Sequence, residues 1–245
     1  MRYIFPTAIS QKSTRLGGIS ITQWFDNYSL IDPSEREELQ RPGLQETVTY
    51  IDMFLEQEAK LVGRENVLLG GLGQGCAAAL CALLVFQESD GDKRKAVGGF
   101  VGLSGWLPLR QSGRNSKASS DPRGHNAAQP VGESQGGKSI AELTDSMAIL
   151  LAGIGDHLPL PVHLSVPKHG QIPVFLGHRE ADGEVSIILA RQAAVTLGDL
   201  GLVVTLRTYA GLEHWWRSGD EIDDIDRFLI VKCGVAAVAV QNLAP

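Results

Sequence analysis

Val67-Leu68-Leu69-Gly70-Gly71-Leu72-Gly73-Gln74-Gly75-Cys76 is the stretch on which the fold of this chain turns. Its apolar start predicts a buried strand over 67–69, and the run that follows predicts a helix over 74–86. Glycines frame the joint between them. With serine at the centre, Gly-x-Ser-x-Gly is a nucleophile elbow, a strained strand-to-helix turn that holds a hydroxyl above the sheet. Here the centre is Gly73. Glycine adopts such a turn without steric cost and brings no nucleophile.

The helix over 74–86 carries almost no charge, as expected of a helix covered on every side. Apolar residues over 98–103 predict the next strand, ending at Ser104-Gly105-Trp106-Leu107-Pro108. Strand, helix, strand with apolar strands implies a parallel sheet. Further strands are predicted over 172–176 and 203–207, with helices over 185–198 and 221–232. Upstream, residues 3–5 read as a short strand closed by Pro6. Asp32-Pro33 and the acidic turn Glu35-Arg36-Glu37-Glu38 read as a helix start that Pro42-Gly43 interrupts. Leu44, Val48, Ile51, Leu55 and Leu61 then keep near-helical spacing for a second, longer helix. The fold class expected is α/β: a mostly parallel sheet with helices on both faces.

The 245 residues, 43% of them hydrophobic, are enough for one large core, so a single domain over 1–245 is expected. A polar insertion over 111–138 interrupts it, and residues 140–154 read as a short amphipathic helix near the site. The net charge of -6 offers no basic stripe, which argues against a nucleic-acid partner. Lys93-Arg94-Lys95 reads as a solvated loop. Cys76, Cys81 and Cys233 show no metal spacing, and the first two sit in the apolar helix as small hydrophobes. His125, His157, His163 and His169 show no ligand spacing either. No cofactor is expected. No apolar run reaches the roughly 18 residues that a spanning helix needs. With no signal peptide at Met1-Arg2-Tyr3-Ile4-Phe5-Pro6, a cytoplasmic location without stable membrane insertion is expected.

Three positions belong together. Gly73 follows a strand, Asp182 lies in the turn after 172–176, and His214 follows 203–207. Nucleophile, acid and histidine in that chain order, each at the carboxyl end of a strand, make up a hydrolytic triad. In such a triad histidine takes the nucleophile's proton while the carboxylate fixes the imidazole. Only the nucleophile is missing.

At these residues the chain resembles the phospholipase/carboxylesterase family, which includes acyl-protein thioesterases. The resemblance is carried by Trp24-Phe25-Asp26, Gly70-Gly71-Leu72-Gly73-Gln74-Gly75, Leu103-Ser104-Gly105-Trp106-Leu107-Pro108 and Thr208-Tyr209-Ala210-Gly211-Leu212-Glu213-His214. His178-Arg179-Glu180-Ala181-Asp182-Gly183-Glu184-Val185 is similar to the family's acid turn, His-Gly-Asp-x-Asp-x-x-Val. The resemblance implies an α/β-hydrolase-like fold and cleavage of acyl esters or thioesters, in small molecules or acylated proteins. It implies Asp182 as acid, His214 as base, and the Gln74 amide as an oxyanion donor. Trp24, Leu72, Trp106 and Trp215 become candidate pocket walls, with core packing an equal reading for the tryptophans.

Two departures stand out. Gly73 occupies the place of the family's serine. The family's earlier strand, which ends in a His-Gly-x-Gly-Asp loop and supplies a second oxyanion amide, is not found in this sequence. The strand over 67–69 is therefore expected to lack a neighbour on one side, an edge that another segment or a homodimer partner would cover unless the sequence is truncated. Lost or severely impaired hydrolysis follows as an expectation. A ligand-binding or regulatory pseudoenzyme is the alternative, and His214 acting as a general base on a bound metabolite is a third.

Other candidates fare worse. Cys76 lies three residues past Gly73, inside the first helical turn, so its sulfur is expected to point away from the elbow. Ser104 reads as a strand-end hydrogen-bonding residue, and Glu180 as a solvated alternative to Asp182. Gly71-x-Gly73-x-x-Cys76 fails the dinucleotide fingerprint, which requires Gly or Ala third and an acid ending the next strand.

Overall fold

A computed structural model of the chain describes residues 2–86, 96–109, 172–211 and 219–236. The parallel sheet is built from β3 (Leu68–Leu72), β4 (Gly99–Leu103), β5 (Pro173–Arg179) and β6 (Val203–Tyr209), in the order β3-β4-β5-β6. All pairs are parallel, and Leu72, Leu103, Gly177 and Arg207 fall in register across it. Among the described residues β3 pairs only with β4, so no described strand pairs along its other edge.

Among the described residues four α-helices complete the frame: α1 (Gln40–Val62), α2 (Gln74–Phe86), α3 (Ile187–Asp199) and α4 (Asp220–Val231). The predicted bounds of α2 match those observed. From Cys76 to Val85 no residue is more than 3% exposed, which explains the lack of charge. Glycines show that both faces of the sheet are covered. A Cβ on Gly102 would meet Cys76 of α2, whereas one on Gly177, which points the other way, would meet Glu221 of α4. On that second face Phe175 packs against Phe228, with ring centroids 5.5 Å apart. No described helix is long and apolar enough to cross a membrane.

The beginning of the chain departs from expectation. Residues 3–5 form no strand: Tyr3 and Phe5 stack on each other, both well exposed, and no strand among the described residues pairs with them. The first strands are instead β1 (Ser10–Ser13) and β2 (Ile19–Thr22), an antiparallel pair. Gly17 and Gly18, at φ +64° and +88°, turn the chain between them. The acidic turn also begins no α-helix. Arg36 is left-handed at φ 51° and stops helical propagation, so only a short 3-10 turn, Glu37–Leu39, precedes α1.

Pro42-Gly43 does not interrupt α1. Pro42 is the third residue of the helix, where a backbone N–H would have no intrahelical acceptor. Gly43 is required by packing, since a Cβ there would come 2.7 Å from the Phe25 Cα. Downstream, Ser186 caps α3 by accepting a hydrogen bond from the Ile188 N–H at 3.3 Å.

Candidate functional site

Parallel strands in register bring their following residues to one edge of the sheet. There the ladder runs on past the strands: the Gly73 N–H donates to the Leu103 carbonyl at 2.8 Å, and the Ser104 N–H to the Gly177 carbonyl at 2.9 Å. Gly73 and the acid turn thus share the carboxyl end of the sheet, two strand spacings or about 10 Å apart.

The elbow is formed. Gly73 has φ +54°, the left-handed conformation that would strain any side chain placed there. Its glycine frame is set by space. A Cβ on Gly71 would lie 2.4 Å from the Gly75 carbonyl carbon, and one on Gly75 would lie 3.3 Å from the Trp24 Nε1. Gln74 opens α2, so its N–H is among the leading helical amides that lack an intrahelical acceptor. That amide is the expected oxyanion donor. The Gln74 side chain does something separate. Its Oε1 accepts from the Trp24 N–H at 2.8 Å, and its Nε2 donates to the Phe25 carbonyl at 2.8 Å. Thr47 Oγ1 donates to the Trp24 carbonyl at 2.6 Å, so the segment around Trp24 is tied to the elbow and to α1 together.

The candidate pocket walls differ in placement. Trp24 and Leu72 stand half-buried beside the elbow. Trp106 is 2% exposed and packs edge-on against Phe25, with centroids 6.1 Å apart. It also borders a cleft with Pro33, Glu37, Leu109 and Leu189, which Gly73 does not line.

Asp182 is tightly held. Its side chain is fully buried. Oδ1 accepts from the amides of Glu184 and Val185 at 2.9 and 3.0 Å. Oδ2 lies 3.4 Å from His178 Nε2, which is itself 2.8 Å from the Val185 carbonyl. A carbonyl can only accept, so Nε2 carries the hydrogen and bolts the turn from below. Glu180, the weaker candidate acid, is exposed and accepts from Thr208 Oγ1 at 3.1 Å.

His214, Trp215, Trp216, the loop histidines, the basic run at Lys93, the insertion over 111–138 and the helix expected over 140–154 lie outside the described residues. The approach to His214 is nevertheless fixed. The Ala181 N–H donates to the Gly211 carbonyl at 3.2 Å, and the Glu180 N–H to the Tyr209 carbonyl at 2.9 Å. The acid turn is therefore bonded to the chain just after β6, up to Gly211.

Ser104 and Cys76 behave as expected. Ser104 is 4% exposed at φ 47° and closes the ladder through its backbone. Cys76 is buried with its sulfur against β4: a Cβ on Gly102 or Gly105 would lie 2.6 or 2.4 Å from it. Burial pushes its thiol up to about 12. At pH 8 the thiol therefore stays protonated and a poor nucleophile. Ellman's reagent is expected to leave Cys76 unmodified for hours in the folded chain. Rapid stoichiometric labelling of Cys76, mapped by mass spectrometry, would show instead that its sulfur is accessible at the site.

Residues 1–149 match the family model described as Phospholipase/Carboxylesterase. The chain belongs to that family. Among its relatives, acyl-protein thioesterase 1 of Kluyveromyces lactis is 27% identical over 137 residues, covering 53% of this chain and 56% of the relative. The Candida albicans acyl-protein thioesterase 1 is 29% identical over 153 residues, covering 58% and 62%. The matches thus span 56% and 62% of these two relatives' own lengths. Among solved structures, Zea mays acyl-protein thioesterase 2 superposes with a TM-score of 0.59 at 21% identity, over 94% of this chain and 80% of that one. The family's α/β-hydrolase fold is the fold described above.

Sequence reasoning singles out Asp182 but misses what holds it. His178 enters only as a letter in a motif, although its spacing of four from Asp182 is a usable signal. Arg179 and Glu221 carry no local signal, because they meet only through the fold.

Proposed function

We propose that this chain is a carboxylesterase and acyl-thioesterase scaffold in which Gly73 leaves the attack step without a nucleophile, so that hydrolysis is lost or severely reduced. The left-handed turn at Gly73 carries this reading. In an intact site, serine at this position attacks the acyl carbonyl. His214 takes its proton, Asp182 orients the imidazole, and the Gln74 amide bonds the oxyanion. The names of the relatives point to acyl thioesters and acylated proteins as the ligand class. The three unpaired cysteines fit a cytoplasmic setting.

A second reading is favoured by one observation. The Asp182 side chain stays buried with Oδ1 held by two amides, and Gln74 still pins Trp24, beside a turn that has no nucleophile. Such upkeep suits a ligand-binding or regulatory protein that keeps the pocket.

The two readings share a first test. The unmodified chain is expected to release no thiol from an acyl thioester, and no p-nitrophenol from p-nitrophenyl acetate, above the buffer rate. Turnover at ordinary esterase rates would refute the proposal. A melting temperature raised by medium-chain acyl ligands would favour the binding reading, and its absence would count against that reading.

A further inference from the structure

Arg179 stands where the family's acid turn, His-Gly-Asp-x-Asp, has glycine. A long cation here is unexpected, and it is not a surface residue: Arg179 is 8% exposed. Its Nη1 donates to the Ala210 carbonyl at 2.8 Å, and its Nη2 reaches Glu221 Oε2 at 3.4 Å. Ala210 follows the end of β6, and Glu221 lies in the first turn of α4. One guanidinium thus touches the chain on both sides of residues 212–218.

Two glycines leave room for this pair. A Cβ on Gly211 would lie 3.3 Å from Arg179 Nη1, and one on Gly177 would lie 3.1 Å from Glu221 Oε1. Gly211 also sits at φ +132°. Burying two charges is costly unless their geometry and hydrogen bonds compensate, so a buried pair is weak support for a purely stabilising role. The backbone of the same turn is bonded to the same strand exit, through Glu180 to Tyr209 and Ala181 to Gly211.

We propose that Arg179 is a positioning residue: its forked side chain sets the exit of β6 and the start of α4 against the turn that carries Asp182. The proposal rests on the hydrolase reading for its meaning, because His214 lies between those two anchors in sequence. Arginine suits this role, since a planar fork can serve two acceptors in fixed directions where an ammonium acts as a point charge.

The test compares Arg179→Met and Arg179→Lys with the parent chain by amide hydrogen exchange and thermal unfolding. In Arg179→Met, the Ala181 N–H is expected to exchange about tenfold faster or more, while amides of β4 keep their protection. Arg179→Lys retains a partner for Glu221 but not the fork. It is expected to recover most of the melting temperature while Ala181 still exchanges fast. Unchanged Ala181 exchange in folded Arg179→Met overturns the proposal. Full recovery of both properties by lysine also overturns it, and that comparison decides if Arg179→Met fails to fold.

In a Gly73→Ser background, Arg179→Met is expected to lower kcat about tenfold at unchanged KM, and an unchanged kcat counts against the proposal. A Gly73→Ser chain that stays silent counts against the hydrolase reading instead. The exchange result then still decides whether Arg179 holds the turn, because exchange needs no turnover.

Discussion

Gly73→Ser is expected to raise p-nitrophenyl acetate hydrolysis by on the order of 10³ over the unmodified chain. Loss of the nucleophile in a triad mechanism costs on the order of 10⁶ in turnover. Loss of one oxyanion donor costs about 10²–10³. The described residues offer one donor, the Gln74 amide, so the recovered rate should fall short of a complete site by roughly that second factor. The backbone is already prepared for the substitution. Gly73 holds φ +54° although glycine is free to leave it, and a serine there costs about 1–2 kcal/mol of left-handed strain. Adding Asp182→Asn should abolish the gain, because the imidazole would lose the carboxylate that orients it. A Gly73→Ser chain as inert as its parent would count against the hydrolase reading.

Gly71→Ala, two residues away, is expected to destabilise the fold by about 3 kcal/mol or more, lowering the melting temperature by roughly 6–12 °C. The physical reason differs from that at Gly73. A Cβ on Gly71 would stand 2.4 Å from the carbonyl carbon and oxygen of Gly75 and 2.5 Å from the Cys76 nitrogen. These are backbone atoms of the first turn of α2, which no rotamer change can move. Strain at Gly73 is a matter of torsion, whereas Gly71 is a matter of room. Thermal unfolding of the two variants separates them, and a Gly71→Ala chain that melts within 2 °C of its parent, a shift of about 1 kcal/mol or less, would show that the elbow is looser than described.

The sheet and its helices were legible where one element is buried all round. The apolar run of α2 and the strand leading to Ser104 announce themselves by composition alone. Polar elements were not legible. Ser10–Ser13 has no apolar alternation at all, and Ile19-Ser20-Ile21-Thr22 shows it over only four residues, too short a run to announce a strand. Pro42-Gly43 read as a break because proline and glycine usually are one, but a proline in the first helical turn sacrifices no hydrogen bond.

At the candidate site, chain order singled out Gly73, Asp182 and His214, since each follows a strand or predicted strand in the sequence. The pair proposed to brace the turn that carries Asp182 was hidden for a different reason. Arg179 and Glu221 are 42 positions apart, and nothing in either neighbourhood signals that they pair. The role of Gln74 was half visible: its amide follows from the elbow, whereas the bonds of its side chain to Trp24 and Phe25 exist only after folding.

Intact-mass analysis after exposure to a fluorophosphonate puts the absent hydroxyl to trial without assuming any substrate. One adduct should appear on the introduced serine of the Gly73→Ser chain, and none on the unmodified protein. A stoichiometric adduct on the unmodified protein would reveal a working nucleophile elsewhere in the chain and contradict the claim that Gly73 leaves this site without one.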